Sequence, residues 1–250
     1  AMSSGTIDDL EGVWGSSGSD VFAVGEAGAI RHYDGLSWSA MSSGTPNSLY
    51  GVWGSSASDV FAVGEAGAIR HYDGLSWSAM SNGLSNWLMG VWGSSGTSVF
   101  AVGLGGTILH FDGESWSPMS SGTVNDLQGV WGTSDTDVYA IGDTGTVLHY
   151  DGSSWSAMSS GTTKSLRGVW GSGGNNVFAV GENGTILHYD GLGWSAMSSG
   201  TNYSLDGLWG GSGTYVLAVG DYGTILSYGT ILFASGFESG GLGGWSGSVP

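Results

Sequence analysis

Gly12-Val13-Trp14-Gly15 is the stretch whose reading decides the fold. A Gly-x-Trp-Gly quartet of this kind returns around Trp53, Trp92, Trp131, Trp170 and Trp209, always at a spacing of 39 residues. Six copies of one unit fill almost the whole chain, and a fixed period of this length indicates a solenoid, a propeller or another repeat array.

The residues on either side of Trp14 repeat with it. Residues 10–14 form a short apolar run that Gly15 and a Ser-rich stretch close. Asp20-Val21-Phe22-Ala23-Val24-Gly25 is a second run, apolar on both faces, and Glu26-Ala27-Gly28 reads as a turn. Residues 29–33 make a third strand, Asp34-Gly35 marks a hairpin turn, and residues 38–41 make a fourth strand. Four short strands give one up-and-down sheet, and a sheet apolar on both faces must be sandwiched between neighbours. The expected architecture is therefore all-β: a six-bladed β-propeller with four antiparallel strands per blade. A β-solenoid is the alternative, with shorter coils and fewer Asp-Gly hairpins.

The sixth copy breaks the pattern. Its first strands read as residues 205–209, 215–220 and 224–228, but the Asp-Gly-x-x-Trp that follows in the other copies is missing. The fourth strand is expected from residues 230–235, from residues 1–4, or from both. Residues 1–235 are assigned to the propeller and 236–250 to a Gly/Ser-rich C-terminal tail. The chain opens inside a repeat, since residues 1–6 match residues 40–45.

Composition narrows the classes further. Forty per cent hydrophobic residues and 13 Trp supply a core for one large β domain in 250 residues. The 50 Gly come with only 3 Pro and no Gly-X-Y period, which excludes collagen. With 4 basic and 21 acidic residues the net charge is −17, a field that repels phosphate backbones and anionic membranes. No nucleic-acid partner and no membrane insertion are expected, and no apolar run approaches a transmembrane length. The absence of Cys excludes disulfide and thiolate chemistry.

The run Trp-Gly-x-Ser, Asp-Val-[Phe/Tyr]-Ala-[Val/Ile]-Gly, Gly-Thr-[Ile/Val]-Leu-His-[Tyr/Phe]-Asp-Gly-x-x-Trp resembles repeats of bacterial, often secreted, β-propeller proteins. The resemblance implies the architecture and a bacterial secreted or periplasmic location; the chain is expected to be a monomer. The Asp-Gly-x-x-Trp turn is similar to the Asp-box of sialidase-like propellers, which is structural there. Arg31, Arg70 and Arg167 are too few and too scattered for the arginine cluster of a sialidase.

The copies differ from one another mainly in the segment leading into the first strand. Its first variable position reads Asp8, Asn47, Asn86, Asn125, Lys164, Tyr203, and the next reads Asp9, Ser48, Trp87, Asp126, Ser165, Ser204. Leu follows in every copy, and the position after it reads Glu11, Tyr50, Met89, Gln128, Arg167, Asp206. In a propeller the first strand is innermost, so these lead-ins are expected to converge on one mouth of the central channel. Loops on a rigid scaffold are where binding and catalysis concentrate. Drift in a tolerant linker is the bland alternative; the changes are chemically large, while the equally exposed Asp-Gly turn hardly varies.

Asp8, Asn47, Asn86 and Asn125 offer hard oxygen donors suited to Ca²⁺. The arrangement is similar to the channel ion site of paraoxonase-like and phosphotriesterase-type propellers. That resemblance implies a metal-assisted hydrolase of activated neutral esters, lactones or phosphotriesters. Asp9, Glu11, Asp126 or Asp206 would then act as base or nucleophile, and Lys164 or Arg167 would stabilise developing negative charge. Tyr50, Trp87, Met89, Gln128 and Tyr203 would line the substrate site. Equally, Asp and Asn are favoured in turns before a strand. The alternative function is a non-catalytic propeller that binds a glycan or a protein at the same mouth. A second acidic set, Glu26, Glu65, Asp143, Glu182 and Asp221, broken by Leu104 in the third copy, is expected as a solvated rim farther out. His32, His71, His110, His149 and His188 occupy one repeated position and cannot meet at one ion; each is expected to bond a polar group within its own blade.

Overall fold

The computed structural model describes residues 3–212, 215–229 and 245–248. They form six four-stranded antiparallel sheets with the strands in chain order within each, the β-propeller architecture. The first strands are Leu10–Ser17, Leu49–Ser56, Leu88–Ser95, Leu127–Ser134, Leu166–Gly173 and Leu205–Ser212. The second strands are Asp20–Gly25, Asp59–Gly64, Ser98–Gly103, Asp137–Gly142, Asn176–Gly181 and Tyr215–Gly220. A three-residue 3-10 turn follows each second strand, Glu26–Gly28 in blade one and Glu65–Gly67 in blade two. In blade two the register runs Trp53↔Phe61, Phe61↔His71 and His71↔Ser78 across the four strands.

Blade six corrects one expectation. Its third strand, Thr224–Tyr228, pairs with Trp245–Ser248, with Tyr228 opposite Trp245. The fourth strand thus lies in the stretch read as a tail. Ser3 and Ser4 lie outside any strand, and residues 230–235 and 1–2 fall outside the described residues. The reason is register: the fourth strand opens on Trp-Ser opposite a Tyr in blade one as well, where Tyr33 faces Trp38. Trp245-Ser246 repeats that dipeptide after a connection too long for the Asp-Gly-x-x spacing to reveal.

The chain divides into two compact units, Ala1–Val130 and Trp131–Pro250. The quartet performs the same task in each. In the first unit, the rings of Trp14 and Trp53 lie 2.7 and 2.6 Å from where a Cβ would stand on Gly54 and Gly93 of the following blade. Gly12 admits the Tyr50 carbonyl oxygen at 2.8 Å from the same imagined atom. In the second unit, Gly171 receives Trp131 in the same way, at 2.5 Å, and Gly168 admits Asp206 O at 3.1 Å. One glycine lets adjacent first strands approach; the other receives the indole of the preceding blade.

The blades are apolar on both faces, as their sequences require. Phe22, Val24 and Ile30 of blade one bury against Leu49, Val60, Ala62 and Trp77 of blade two. Phe61, Val63 and Ile69 then bury against Leu88, Val99, Ala101 and Trp116 of blade three. In the second unit, Ile141 and Val147 meet Leu166, Ala179 and Leu187, while Val180 and Ile186 meet Leu205, Ala218 and Leu226. Within each unit a blade's forward face thus covers the rear face of the blade that follows.

Polar repeats stitch the frame. His32, His71 and His149 lie 2.6, 2.6 and 2.8 Å from Asp20, Asp59 and Asp137 at the start of their own second strands. His188 takes Asn176 and His110 takes Ser98 at the same place. The histidines are bonded within their blades, as expected. In the Asp-Gly turn, Asp73 Oδ1 accepts the N–H groups of Leu75 and Ser76 at 2.9 Å, with Gly74 at φ +89°. In blade four the N–H of Ser154, together with the hydroxyl and N–H of Ser153, holds the Asp151 carboxyl down at about 2.

Candidate functional site

The lead-in segments are held by backbone and are free to vary in side chain. The N–H of Glu26 donates to Asp9 O at 3.0 Å, that of Glu65 to Ser48 O at 2.9 Å, and that of Leu104 to Trp87 O at 2.9 Å. Glu182 and Asp221 donate to Ser165 O and Ser204 O in the second unit, at 3.0 and 2.9 Å. The 3-10 turn thus clamps the residue before the invariant Leu through its carbonyl. Because the clamp reads only the main chain, Asp, Ser and Trp all serve at that position.

In the first unit the clamp of blade two extends into side chains. Glu65 Oε2 accepts the N–H of Ser48 at 3.1 Å, and Glu65 Oε1 accepts the hydroxyl of Tyr50 at 3.0 Å. The Tyr50 ring lies 5.9 Å from that of Trp87, at an interplanar angle of 32°. Partial burial pushes the Tyr50 hydroxyl up to about 12, helped by the Glu65 hydrogen bond and the charges of Glu65, Glu11 and Glu26. Trp87 keeps 43% of its surface exposed. Met89 and Gln128 continue the same position, half-buried, on the next two first strands. Glu11, Tyr50, Trp87 and Glu65 are thereby brought together. Glu65 is a residue that the sequence reading left on a solvated rim; its carboxylate instead turns onto the lead-in. The signal that could have found it is the two-residue offset between Ser48 and Tyr50, which lets one carboxylate span both.

The second unit builds the same place differently. Glu182 Oε2 accepts the N–H of Ser165 at 3.4 Å, and its other oxygen lies 3.6 Å from Arg167 Nη2. Arg167 Nη1 donates to Asp206 Oδ1 at 2.7 Å, and that bond raises the guanidinium's pKa. Arg167 and Asp206, expected as charge stabiliser and base, are committed to each other. The rings of Tyr203 and Tyr222 lie 4.8 Å apart, tilted at 45°, and Lys164 is exposed.

Three of the expected ion ligands make local hydrogen bonds. Asn47 Nδ2 donates to Glu65 O at 3.3 Å, and Asn86 Nδ2 to Leu104 O at 3.1 Å and Thr107 Oγ1 at 3.0 Å. Asp8 Oδ2 accepts from Thr6 Oγ1 at 2.7 Å. These amides tie the lead-in to the turn of their own blade, which is the turn-forming role open to Asp and Asn. Asp126, expected as a base, accepts the Gly105 N–H at 2.7 Å, while Asp9 and Glu11 are exposed. Among the described residues no group of three or more His, Asp or Glu stands where it would hold a metal. A depression lined by Gly105, Gly106, Met119, Ser121 and Val124 opens broadly to solvent, unlike the enclosed clefts that bury small ligands.

No protein-family model matches the chain, and no curated protein is similar to it in sequence. Solved structures are similar in fold. "YCF48 bound to D1 peptide" is 16% identical with a TM-score of 0.51, over 91% of this chain and 95% of that one. "YCF48 from Cyanidioschyzon merolae" is 14% identical with a TM-score of 0.65, over 90% and 96%. "Crystal structure of RRP9 WD40 repeats" is 10% identical with a TM-score of 0.74, over 89% and 77%. At these identities the likeness is one of fold. No helix among the described residues is long and apolar enough to cross a membrane.

Proposed function

We propose that this chain is a binding propeller that holds an extended segment of a protein partner on the lead-in surface of its first unit. The observation that carries the reading is the Tyr50–Trp87 pair. Trp87 stands where the other copies have Asp or Ser, is exposed, and lies beside a tyrosine that Glu65 fixes. Exposed aromatics on a rigid support are the usual anchors of protein recognition. The acidic side chains around the pair, Glu11, Glu26 and Glu65, favour a segment that carries Lys or Arg. The fold neighbour bound to a D1 peptide supports a peptide over a small molecule, and so does the open surface. The hydrolase expectation has less support, because Arg167, Asp206 and Asp126 already hold local partners.

A displayed peptide library selected on the folded chain tests the reading, with affinities of enriched peptides measured by fluorescence anisotropy. Trp87→Ala and Tyr50→Ala are each expected to weaken binding about ten-fold or more, the scale of an anchor residue. Lys164→Ala is expected to leave it unchanged. Peptides that bind both aromatic variants as tightly as the parent would sink the proposal. Aryl-ester turnover by pure protein, lost in Asp9→Asn or Glu11→Gln, would replace it with the hydrolytic reading.

A further inference from the structure

The second unit holds a cation of its own on the lead-in surface. Arg167 of blade five lies between Glu182, the acid of its own 3-10 turn, at 3.6 Å, and Asp206, at the same repeat position on blade six, at 2.7 Å. The first unit builds the same frame without the cation. Gly12 admits Tyr50 O at 2.8 Å from an imagined Cβ, as Gly168 admits Asp206 O at 3.1 Å. The strand of Glu11 therefore stands beside that of Tyr50 as the strand of Arg167 stands beside that of Asp206. The Glu26 N–H donates to Asp9 O at 3.0 Å, as the Glu182 N–H donates to Ser165 O at 3.0 Å. Glu26 thus takes the place of Glu182 and Tyr50 that of Asp206, while Glu11 stands where the arginine would start.

These acids gather around one ring. After burial and the Glu65 hydrogen bond, the charges of Glu65, Glu11 and Glu26 push the Tyr50 hydroxyl up. Glu65 is committed to the Ser48 N–H and the Tyr50 hydroxyl. The arginines of this unit are turned elsewhere, Arg31 to Gly5 O at 2.9 Å and Arg70 to Gly44 O at 3.2 Å. Among the described residues the carboxylates do not form a group that would hold a metal ion. A guanidinium suits a wider spacing, because its five N–H donors fork toward separate acceptors while its plane lies on an aromatic ring. The equivalent place in the second unit holds that group.

We infer that the junction of blades one and two is the subsite for an arginine side chain of the bound segment. Its guanidinium lies between Glu11 and Glu26 and against the Tyr50 ring, the place that Arg167 fills in the second unit, while Trp87 anchors an adjoining part of the segment. The inference rests on the peptide-binding reading and adds which residue is recognised and where. Lysine, a point charge without a plane, gains the carboxylates but neither the fork nor the stacking.

Peptides enriched from the displayed library are expected to share an arginine. Each is remade with citrulline, which keeps the shape and loses the charge, and with lysine. The citrulline form is expected to bind about five-fold more weakly, the scale of one exposed cation–aromatic contact, with lysine between the two. That difference shrinks with added salt, whereas the loss in Trp87→Ala does not. Glu11→Arg supplies the chain's own guanidinium at the place of Arg167. It is expected to weaken the arginine peptide and leave the citrulline form unchanged. With no peptide present, the same variant is expected to bring the Tyr50 hydroxyl below about 12, because a cation beside the ring favours the phenolate. Ultraviolet titration against Tyr50→Phe reads that shift, and circular dichroism confirms that the variant is folded. Equal binding of the arginine and citrulline forms, with Trp87→Ala weakening both, would overturn the inference and leave the peptide reading standing. No enriched peptide, or no effect of Trp87→Ala, would remove the peptide reading and the subsite with it. An unmoved Tyr50 titration in folded Glu11→Arg would overturn the subsite on its own.

Discussion

In blade two, Glu65 holds the hydroxyl of Tyr50 at 3.0 Å; in blade five, Glu182 faces the guanidinium of Arg167 at 3.6 Å from the same place in the repeat. The main chain around the two is nearly identical. The turn N–H meets the lead-in carbonyl at 2.9 Å in one and 3.0 Å in the other, and the carboxylate takes the backbone N–H of Ser48 or Ser165. What differs is the side chain two residues past the clamped carbonyl and what the next blade sets beside it. Tyr50 turns the place into half of an aromatic pair with Trp87, whereas Arg167 is closed off by Asp206. A frame that reads only backbone lets one blade offer a contact surface and another an internal ion pair, without change to the fold beneath.

The frame itself is where the comparison breaks hardest. Phe61 of blade two is fully buried against blade three and lies 4.5 Å from His71. Phe61→Ala is expected to cost about 3–5 kcal/mol in urea unfolding, the range for a large aromatic removed from a core. A cost near zero would show that the blades are not packed on one another.

Changes at the two lead-ins are expected to be much smaller. Arg167→Met removes ion pairs that are two-fifths exposed, so its cost should stay below about 1 kcal/mol and shrink further with added salt. Tyr50→Phe loses one hydrogen bond, about 0.5–1.5 kcal/mol, with little dependence on salt. Equal salt dependence in the two variants would erase the distinction between the blades.

Titration separates them again. The Tyr50 hydroxyl is raised from 10.0 to about 12 in the folded chain. Its contribution to stability is therefore complete below 10.0 and is lost as pH rises through about 12. Tyr50→Phe should flatten the alkaline fall in stability over that window, while Arg167→Met should not. Melting curves at stepped pH read the difference. The smallest effect is expected from calcium: because the amide groups of Asn47 and Asn86 already tie their own turns, added Ca²⁺ should leave the melting temperature unchanged. A rise that Asn47→Ala abolishes would return a metal to the lead-ins.

Much of this was legible from residue order. The 39-residue period, the two-faced apolar strands and the Asp-Gly hairpins determined six four-stranded blades, because each signal is local and recurs in every copy. The within-blade bonding of the histidines followed from their single repeated position. The variable lead-ins were visible as a surface, since internal copies can be compared without any other protein. Pairing across the surface was not visible. Arg167 with Asp206 and Tyr50 with Trp87 join residues a whole repeat apart, and whether such side chains meet depends on how one blade lies against the next. The carboxylate of Glu65 looked like rim because its own segment is polar; only the return of the turn onto residues 48–50 gives it partners. The fourth strand of blade six was hidden for the same reason, since register across a sheet decides which distant Trp-Ser completes it. Sequence by itself determined the unit and its repetition, which rest on local periodicity. The tertiary structure decided which side chains face each other, because that depends on contacts between neighbouring blades.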